Sequence, residues 1–300
     1  MLILAIDKKF KYTNYISSEI QFFYYYNTIM NINNRVGLQN FGNTCFMNAS
    51  IQMIMSASTM VMHIMDNGDN RKYVQTFKDY FHPDTRTLGP KILYVQYMKL
   101  NTNYKGFSQE DAHEFLIYTL DNMLENSPKS LEKYICSTIK QHAHYKLDQD
   151  VDSDKIIKET ILTFPMDGTV STLNDCYNLF KVTDNDEFTL TLNIETFPKY
   201  LFIGLKRFIY DKGRLEKINK DIDVPLETNM FHNDHNYKLK SFIMHTGNYF
   251  GGHYYAYSLR KVNNEYKWFC FNDLHVSEVS IEQIQREVKK AYVLLYSHKY

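Results

Sequence analysis

One cysteine in this chain stands where a reactive thiol would be made. In GLQNFGNTCFMNAS, residues 37–50, glycine and asparagine give way to a run in which Phe46, Met47, Ile51, Ile54 and Met55 recur at helical spacing. Gly42 and Asn43 suit the left-handed conformations of a tight turn, and Asn43 or Thr44 could cap the helix that follows. Cys45 is thereby expected in the first helical turn, among unpaired N–H groups at the positive end of the helix dipole. There a thiol's pKa falls below its ordinary value of about 8.5. From this stretch alone a nucleophile and a merely packed cysteine are both open.

A thiol nucleophile needs an imidazole beside it, and that partner can be remote in sequence. Of the eleven histidines, His253 has distinctive surroundings: it follows Gly251-Gly252 and opens the strand-like YYAYSL. A third group should orient its ring by accepting the Nδ1–H. Asn272 and Asp273 in WFCFNDLHV are placed for this if residues 253–272 form a hairpin. His142 and His144 in KQHAHYK, and His232 and His235 in FHNDH, read as solvated loop residues in the absence of a third ligand at suitable spacing. His63, His82, His113, His275 and His298 have no distinguishing context, and His245 ends a strand.

The elements that must hold these groups change along the chain. Residues 36–130 read as mostly helical. The strongest helix is in SQEDAHEFLIYTLDNMLENSP, with Ser108 as its cap, Asp111 in its first turn and Ser127-Pro128 as its stop. From 131 to about 188 the chain turns polar, and DQDVDSDK and TDNDE read as exposed loops. EFTLTLNI, KYLFIGLKRFIY, YKLKSFIMHTG, GGHYYAYSLR, YKWFCFND and KAYVLLYS then read as strands of an antiparallel sheet. Helices first and a sheet after give an α+β class.

Three hundred residues suffice for a large core, and 34 basic against 34 acidic residues disfavour a broad nucleic-acid face. Four dispersed cysteines without a CxxC pair indicate neither a disulfide framework nor a zinc ribbon, and suit a reducing compartment, cytoplasmic or nuclear. The apolar start MLILAIDKK is too short for a signal peptide or a membrane span. Residues 1–35 are read as an N-terminal extension whose aromatics could pack on the body.

GLQNFGNTCFMNASIQMI, SQEDAHEFL, LKRF and HTGNYFGGHYYAYSL…WFCFNDLHVSEV resemble, in order, the boxes of the ubiquitin-specific proteases, papain-like cysteine deubiquitinases; the likeness runs from about 36 to 298. The resemblance implies a papain-like fold with a helical thumb (about 36–130), β fingers (about 131–190) and an antiparallel β palm (about 191–300). Cys45 then matches the nucleophile, His253 the base, Asn272 the third member and Asp273 the acidic residue that supports the site. Asn40, five residues before the cysteine, matches the amide donor to the oxyanion. By the same resemblance Asp111 and Glu114, with Gln109 in the same box, are candidates to bind the arginine-rich ubiquitin tail. Gly251, Gly252 and Tyr254 would line the passage for its Gly-Gly end. In LKRF, Leu205 and Phe208 are read as core.

The chain departs from that family where many members carry two zinc-binding CxxC pairs. The fingers are expected to be short and free of metal, with no cofactor. His142 and His144, joined by Cys136 or Cys176, are the only set that could assemble a metal site there. The reading that follows is a monomeric deubiquitinase acting on ubiquitin and ubiquitinated proteins, with no nucleic acid and no membrane. The alternatives are a non-catalytic ubiquitin-binding scaffold on the same fold, or a protease for a ubiquitin-like modifier.

Overall fold

The computed structural model describes residues 35–67, 71–82, 84–126, 129–146, 151–211, 213–232, 235–248 and 251–298. The expected N-terminal extension therefore lies outside the described residues, except for Arg35. The first described element is the two-residue strand β1 (Gly37–Leu38). Five helices follow: α1 (Cys45–Ser56), α2 (Ser58–Asn67), α3 (Arg71–Phe81), α4 (Lys91–Leu100) and α5 (Ala112–Glu125). β2 (Thr87–Leu88) precedes α4 and pairs in parallel with β1. All twelve residues of α1 are buried, packed against α2, α5 and the large sheet.

After a short helix, α6 (Glu132–Ile135), the chain becomes mostly strand. β3 (Ser137–Tyr145), β4 (Val151–Glu159) and β5 (Ile161–Pro165) lead into α7 (Leu173–Lys181), then β6 (Val182–Asp184), β7 (Phe188–Thr196) and β8 (Tyr200–Lys206). Next come β9 (Phe208–Asp211), β10 (Arg214–Lys217), β11 (Glu227–His232), β12 (His235–Asn248), β13 (Gly251–Val262) and β14 (Glu265–Asn272). β15 (His275–Val279), α8 (Ile281–Glu287) and β16 (Val293–His298) close the chain.

The strands form two principal sheets. A four-stranded sheet runs β4-β3-β7-β6, and an eight-stranded one runs β15-β14-β13-β12-β16-β8-β5, with β11 paired to β12. The α+β class is as expected. The large sheet is not wholly antiparallel, however, because β5 joins β8 in parallel. KQHAHYK and part of DQDVDSDK are also strand rather than loop. His142 faces Asp154, and His144 faces Asp152, in the β3–β4 register. Cross-strand pairing overrides their polar composition.

Both faces of the large sheet are covered, as the alternation along its strands requires. On one side Ile243 and Ala256 meet Phe46, Met53, Phe115 and Leu120 of the helices. On the other, Phe242, Met244, Tyr257 and Trp268 meet Phe164, Leu173 and Cys176. Leu205 is buried and Phe208 packs partly buried against the helical cluster, both as read from LKRF. No helix among the described residues is long and apolar enough to cross a membrane.

Candidate active site

The turn before α1 is organised by one side chain. Asn40 Oδ1 accepts from Gly42 N–H (3.0 Å), Thr44 N–H (3.0 Å) and the Thr44 hydroxyl (3.1 Å). Gly42 and Asn43 take φ of 95° and 57°, left-handed as their types allow. Thr44 stands at the N-cap, but its hydroxyl makes no capping bond. It accepts instead from Phe41 N–H at 2.9 Å. Cys45 is thus the first helical residue, with the adjoining N–H groups left uncapped by Thr44.

Cys45 as a residue is 3% exposed. Its pKa is raised, not lowered as the helix dipole suggested. Burial is the largest cause, opposed by backbone N–H groups of Tyr254, Phe46 and Cys45 itself, while the Asp273 carboxylate pushes the same way as burial. Loss of solvation outweighs the dipole once the sulfur is this enclosed. The interaction with the Tyr254 backbone also places Cys45 against the residue that follows His253.

β13 and β14 form the expected hairpin through Asn263-Asn264, whose φ values of 50° and 68° suit a tight primed turn. It brings the His253 ring to Asn272, with Nε2 2.6 Å from Oδ1. The nitrogen that meets Asn272 is therefore Nε2, not the Nδ1 expected from the sequence. Asp273 does different work. Its carboxylate accepts from Asn40 Nδ2 at 2.9 Å and from Asn48 Nδ2 at 2.7 Å, and its carbonyl accepts from Leu38 N–H at 2.8 Å.

The SQEDAHEFL box meets the same strand. Gln109 clamps Gly252, accepting from its N–H at 2.8 Å and donating to its carbonyl at 3.0 Å. Asp111, not Ser108, caps α5, accepting from the N–H groups of His113 and Glu114. Ser108 donates to Glu110 instead. The other oxygen of Asp111 accepts from the hydroxyls of Tyr254 and Tyr292, so every strong acceptor direction of this carboxylate is occupied within the chain. Glu114 is the exposed carboxylate of the box, its pKa raised by partial burial and then by Asp111 and Glu110.

Gly252 has no room for a side chain. A Cβ there would lie 2.2 Å from His245 Nε2 and 2.3 Å from the Thr246 carbonyl, whereas one on Gly251 would meet Gln109 Oε1 at 3.1 Å. Internal packing therefore accounts for Gly252 without reference to a ligand. His245 packs at a tilt on Tyr254 (4.5 Å between centroids) and receives the Lys217 ammonium at Nδ1, 3.1 Å away. Burial, then Lys217, pushes its pKa down to about 4.

Sequence reasoning missed Asn48, His245 and two buried arginines. Arg207 donates to the carbonyls of Ala291, Ile218, Lys220 and Lys289. Arg260 donates to Ser56 and Gln52 of α1 and lies over the Phe271 ring. An asparagine three places after Cys45, among the apolar residues Phe46, Met47, Ala49 and Ile51, was the available signal for Asn48. His142 and His144 pair with Asp154 (2.7 Å) and Asp152 (2.9 Å) in solvent, whereas Cys136 and Cys176 are buried in separate apolar clusters. The four do not converge.

A cysteine opens a buried helix that packs on the strand bearing a histidine–asparagine pair, as in papain-like cysteine hydrolases. The ubiquitin carboxyl-terminal hydrolase family model matches residues 36–296. The chain belongs to that family of cysteine-type deubiquitinases. Human ubiquitin carboxyl-terminal hydrolase 3 is 24% identical, over 87% of this chain and 67% of its own length. Probable ubiquitin carboxyl-terminal hydrolase 8 of Schizosaccharomyces pombe is 24% identical over 88% and 65%. For ubiquitin carboxyl-terminal hydrolase 16 of Arabidopsis thaliana the figures are 27% identity over 87% of this chain, but only 30% of that protein. The SAGA Ubp8/Sgf11/Sus1/Sgf73 DUB module bound to ubiquitin aldehyde shares the fold, at a TM-score of 0.71 and 21% identity over 90% of this chain and 71% of the other.

Proposed function

We propose that this chain hydrolyses the isopeptide or peptide bond after the C-terminal glycine of ubiquitin. The observation that carries the reading is the His253–Asn272 pair at 2.6 Å, with Cys45 against the very next residue of the same strand. Support for the substrate comes from the family and from a structural relative described as bound to ubiquitin aldehyde.

In the proposed reaction the Cys45 sulfur attacks the glycine carbonyl while His253 takes the thiol proton. Asn272 holds the ring in place. The Asn40 amide and the Cys45 N–H stabilise the oxyanion, an effect worth about 2.7–4 kcal/mol per donor in comparable sites. Collapse expels the lysine amine, which receives the proton from His253. Water then attacks the thioester, giving a proton to His253, which passes it back to the departing sulfur.

Glu114 is the carboxylate proposed to meet an arginine of the tail, and Gly251, Gly252 and Tyr254 of β13, with Gln109 bonded to that strand, are proposed to line its path. The division into thumb, fingers and palm is proposed on the same footing, with the four-stranded sheet as metal-free fingers. Asp111 serves the same site as a support for Tyr254. A reducing compartment, cytoplasm or nucleus, suits a thiol enzyme acting as a monomer.

Ubiquitin bearing a C-terminal electrophile tests the reading, with ubiquitin-like modifiers in parallel. A covalent adduct at Cys45 is expected with ubiquitin, and Cys45→Ala should abolish it while leaving ubiquitin binding. No adduct with any modifier, from folded protein, overturns the enzyme reading. An adduct with a ubiquitin-like modifier alone overturns the substrate.

A further inference from the structure

Asn48 lies three residues after Cys45, on the same face of α1, and is 2% exposed. Its amide donates to Asp273 Oδ1 at 2.7 Å and to the Leu38 carbonyl at 3.3 Å. Its own Oδ1 is buried without a hydrogen-bond partner. A side chain recruited for general packing would not leave a buried carbonyl unmatched, because such an atom costs free energy. Here the amide is turned so that its donors reach Asp273, and the acceptor is sacrificed.

The carboxylate so held has a second ligand. Asp273 Oδ2 accepts from Asn40 Nδ2 at 2.9 Å, and Asn40 Oδ1 is already fixed by the turn before α1. An amide is planar and has two N–H bonds, so fixing the oxygen and one N–H sets the direction of the other. Asp273 itself adopts φ of 49°, the left-handed region, in the turn after β14. That turn is pressed on the strand before the site: a Cβ on Gly37 would lie 2.4 Å from the Leu274 carbonyl. One carboxylate thus ties the helix that carries the thiol to the turn that carries the oxyanion donor.

We propose that Asn48 is a positioning residue for the hydrolysis: through Asp273 it aims the free N–H of Asn40 at the position where the oxyanion forms. The inference rests on the reading of Cys45 as nucleophile and Asn40 as oxyanion donor. Asn48 acts at a distance from the reacting atoms, so its loss should lower kcat and spare KM.

The test is a double-mutant cycle on the full chain, with a fluorogenic amide of the ubiquitin C-terminus as substrate and the melting temperature of each protein recorded. Asn48→Ala is expected to lower kcat about 10- to 100-fold, no more than loss of an oxyanion donor itself. In an Asp273→Ala background it should add no more than about a twofold loss, because both changes cut the same link. Independent, multiplying losses, or a change in KM alone, would overturn the proposal.

If Asn48→Ala does not fold, Asn48→Asp keeps the shape. It should be poorly active at pH 8 and recover relative to wild type toward pH 6, as the introduced carboxyl gains a proton to donate to Asp273. A pH profile parallel to wild type overturns the proposal. A wild-type chain that does not turn over the amide overturns the catalytic reading itself. That is distinct from an active wild type matched in kcat by Asn48→Ala, which overturns this inference alone.

Discussion

At the residue scale, Cys45 joins two opposed environments. The helix start and the Tyr254 N–H favour a thiolate, whereas burial and Asp273 oppose it more strongly and raise the pKa. The free protein should therefore hold a neutral thiol at pH 7, deprotonated by His253 during attack. Alkylation of Cys45 by iodoacetamide should climb with pH up to and beyond 9, and a rate already saturated below pH 7 would show a preformed ion pair instead. Asn272 and Asp273 separate in the same way. Asn272 meets the imidazole and Asp273 meets two amides, so the two substitutions should leave different marks. Asn272→Ala should lower kcat about 100-fold by freeing the ring, in the range of general acid–base contributions. Asn272→Asp should keep activity but move the acid limb of kcat/KM to higher pH, because a carboxylate stabilises the imidazolium. An unmoved limb would place another group on His253. The helix start at Cys45 and the meeting of His253 with Asn272 were legible because turn glycines and box spacing are local signals. Which ring nitrogen faces Asn272, and that Asp111 is saturated by tyrosines 143 and 181 residues away, depend on contacts no local pattern encodes.

At the element scale, the joint between α1 and β13 rests on Arg260. Its guanidinium reaches Gln52 and Ser56 on α1, while Gln52 also accepts from the Tyr80 hydroxyl at 2.7 Å and donates to the Val36 carbonyl at 2.8 Å. Arg260→Met preserves bulk but strips these buried acceptors of a charged donor, which costs about 1–3 kcal/mol for each group left unmatched. A net loss of about 3 kcal/mol in urea unfolding is expected, and a loss below about 0.5 kcal/mol would show that the network relaxes freely. The strands that meet there were readable from their runs of aromatic and aliphatic residues, and Asn263-Asn264 marks the turn between β13 and β14. β4 was not, because VDSDKIIKE is exposed at nearly every position and its pairing with β3 supplies the structure. β5 is short and mostly apolar, and nothing in its five residues discloses a parallel partner 41 residues later.

At the scale of the whole molecule, the packing on both faces of the large sheet includes histidines that fold in the neutral state. His245 lies among Tyr254, Phe208 and Tyr292 and accepts from Lys217, which requires an unprotonated Nδ1. Lys217 and His253 oppose its protonation and Asp111 favours it, but burial dominates and holds its pKa at about 4. His113 is pushed down as well, by burial, with its ring beside Gly204 and Thr163. Unfolded histidine binds protons from about pH 6.5 downward. A folded pKa below the unfolded one gives stability that is full above about pH 6.5 and is lost as pH falls toward the folded value. The urea midpoint should therefore decline between pH 6.5 and about 4, the value to which His245 is depressed. In His245→Gln, whose amide oxygen can still accept from Lys217, the midpoint at pH 7 should be lower but the decline across that window shallower. The physical link to function is direct, since the His245 ring fills the space beneath Gly252, one residue before His253. Acid that charges His245 should thus release the strand bearing His253 as the protein loosens. An unchanged slope in His245→Gln would assign the acid sensitivity to other groups and leave His245 as packing alone.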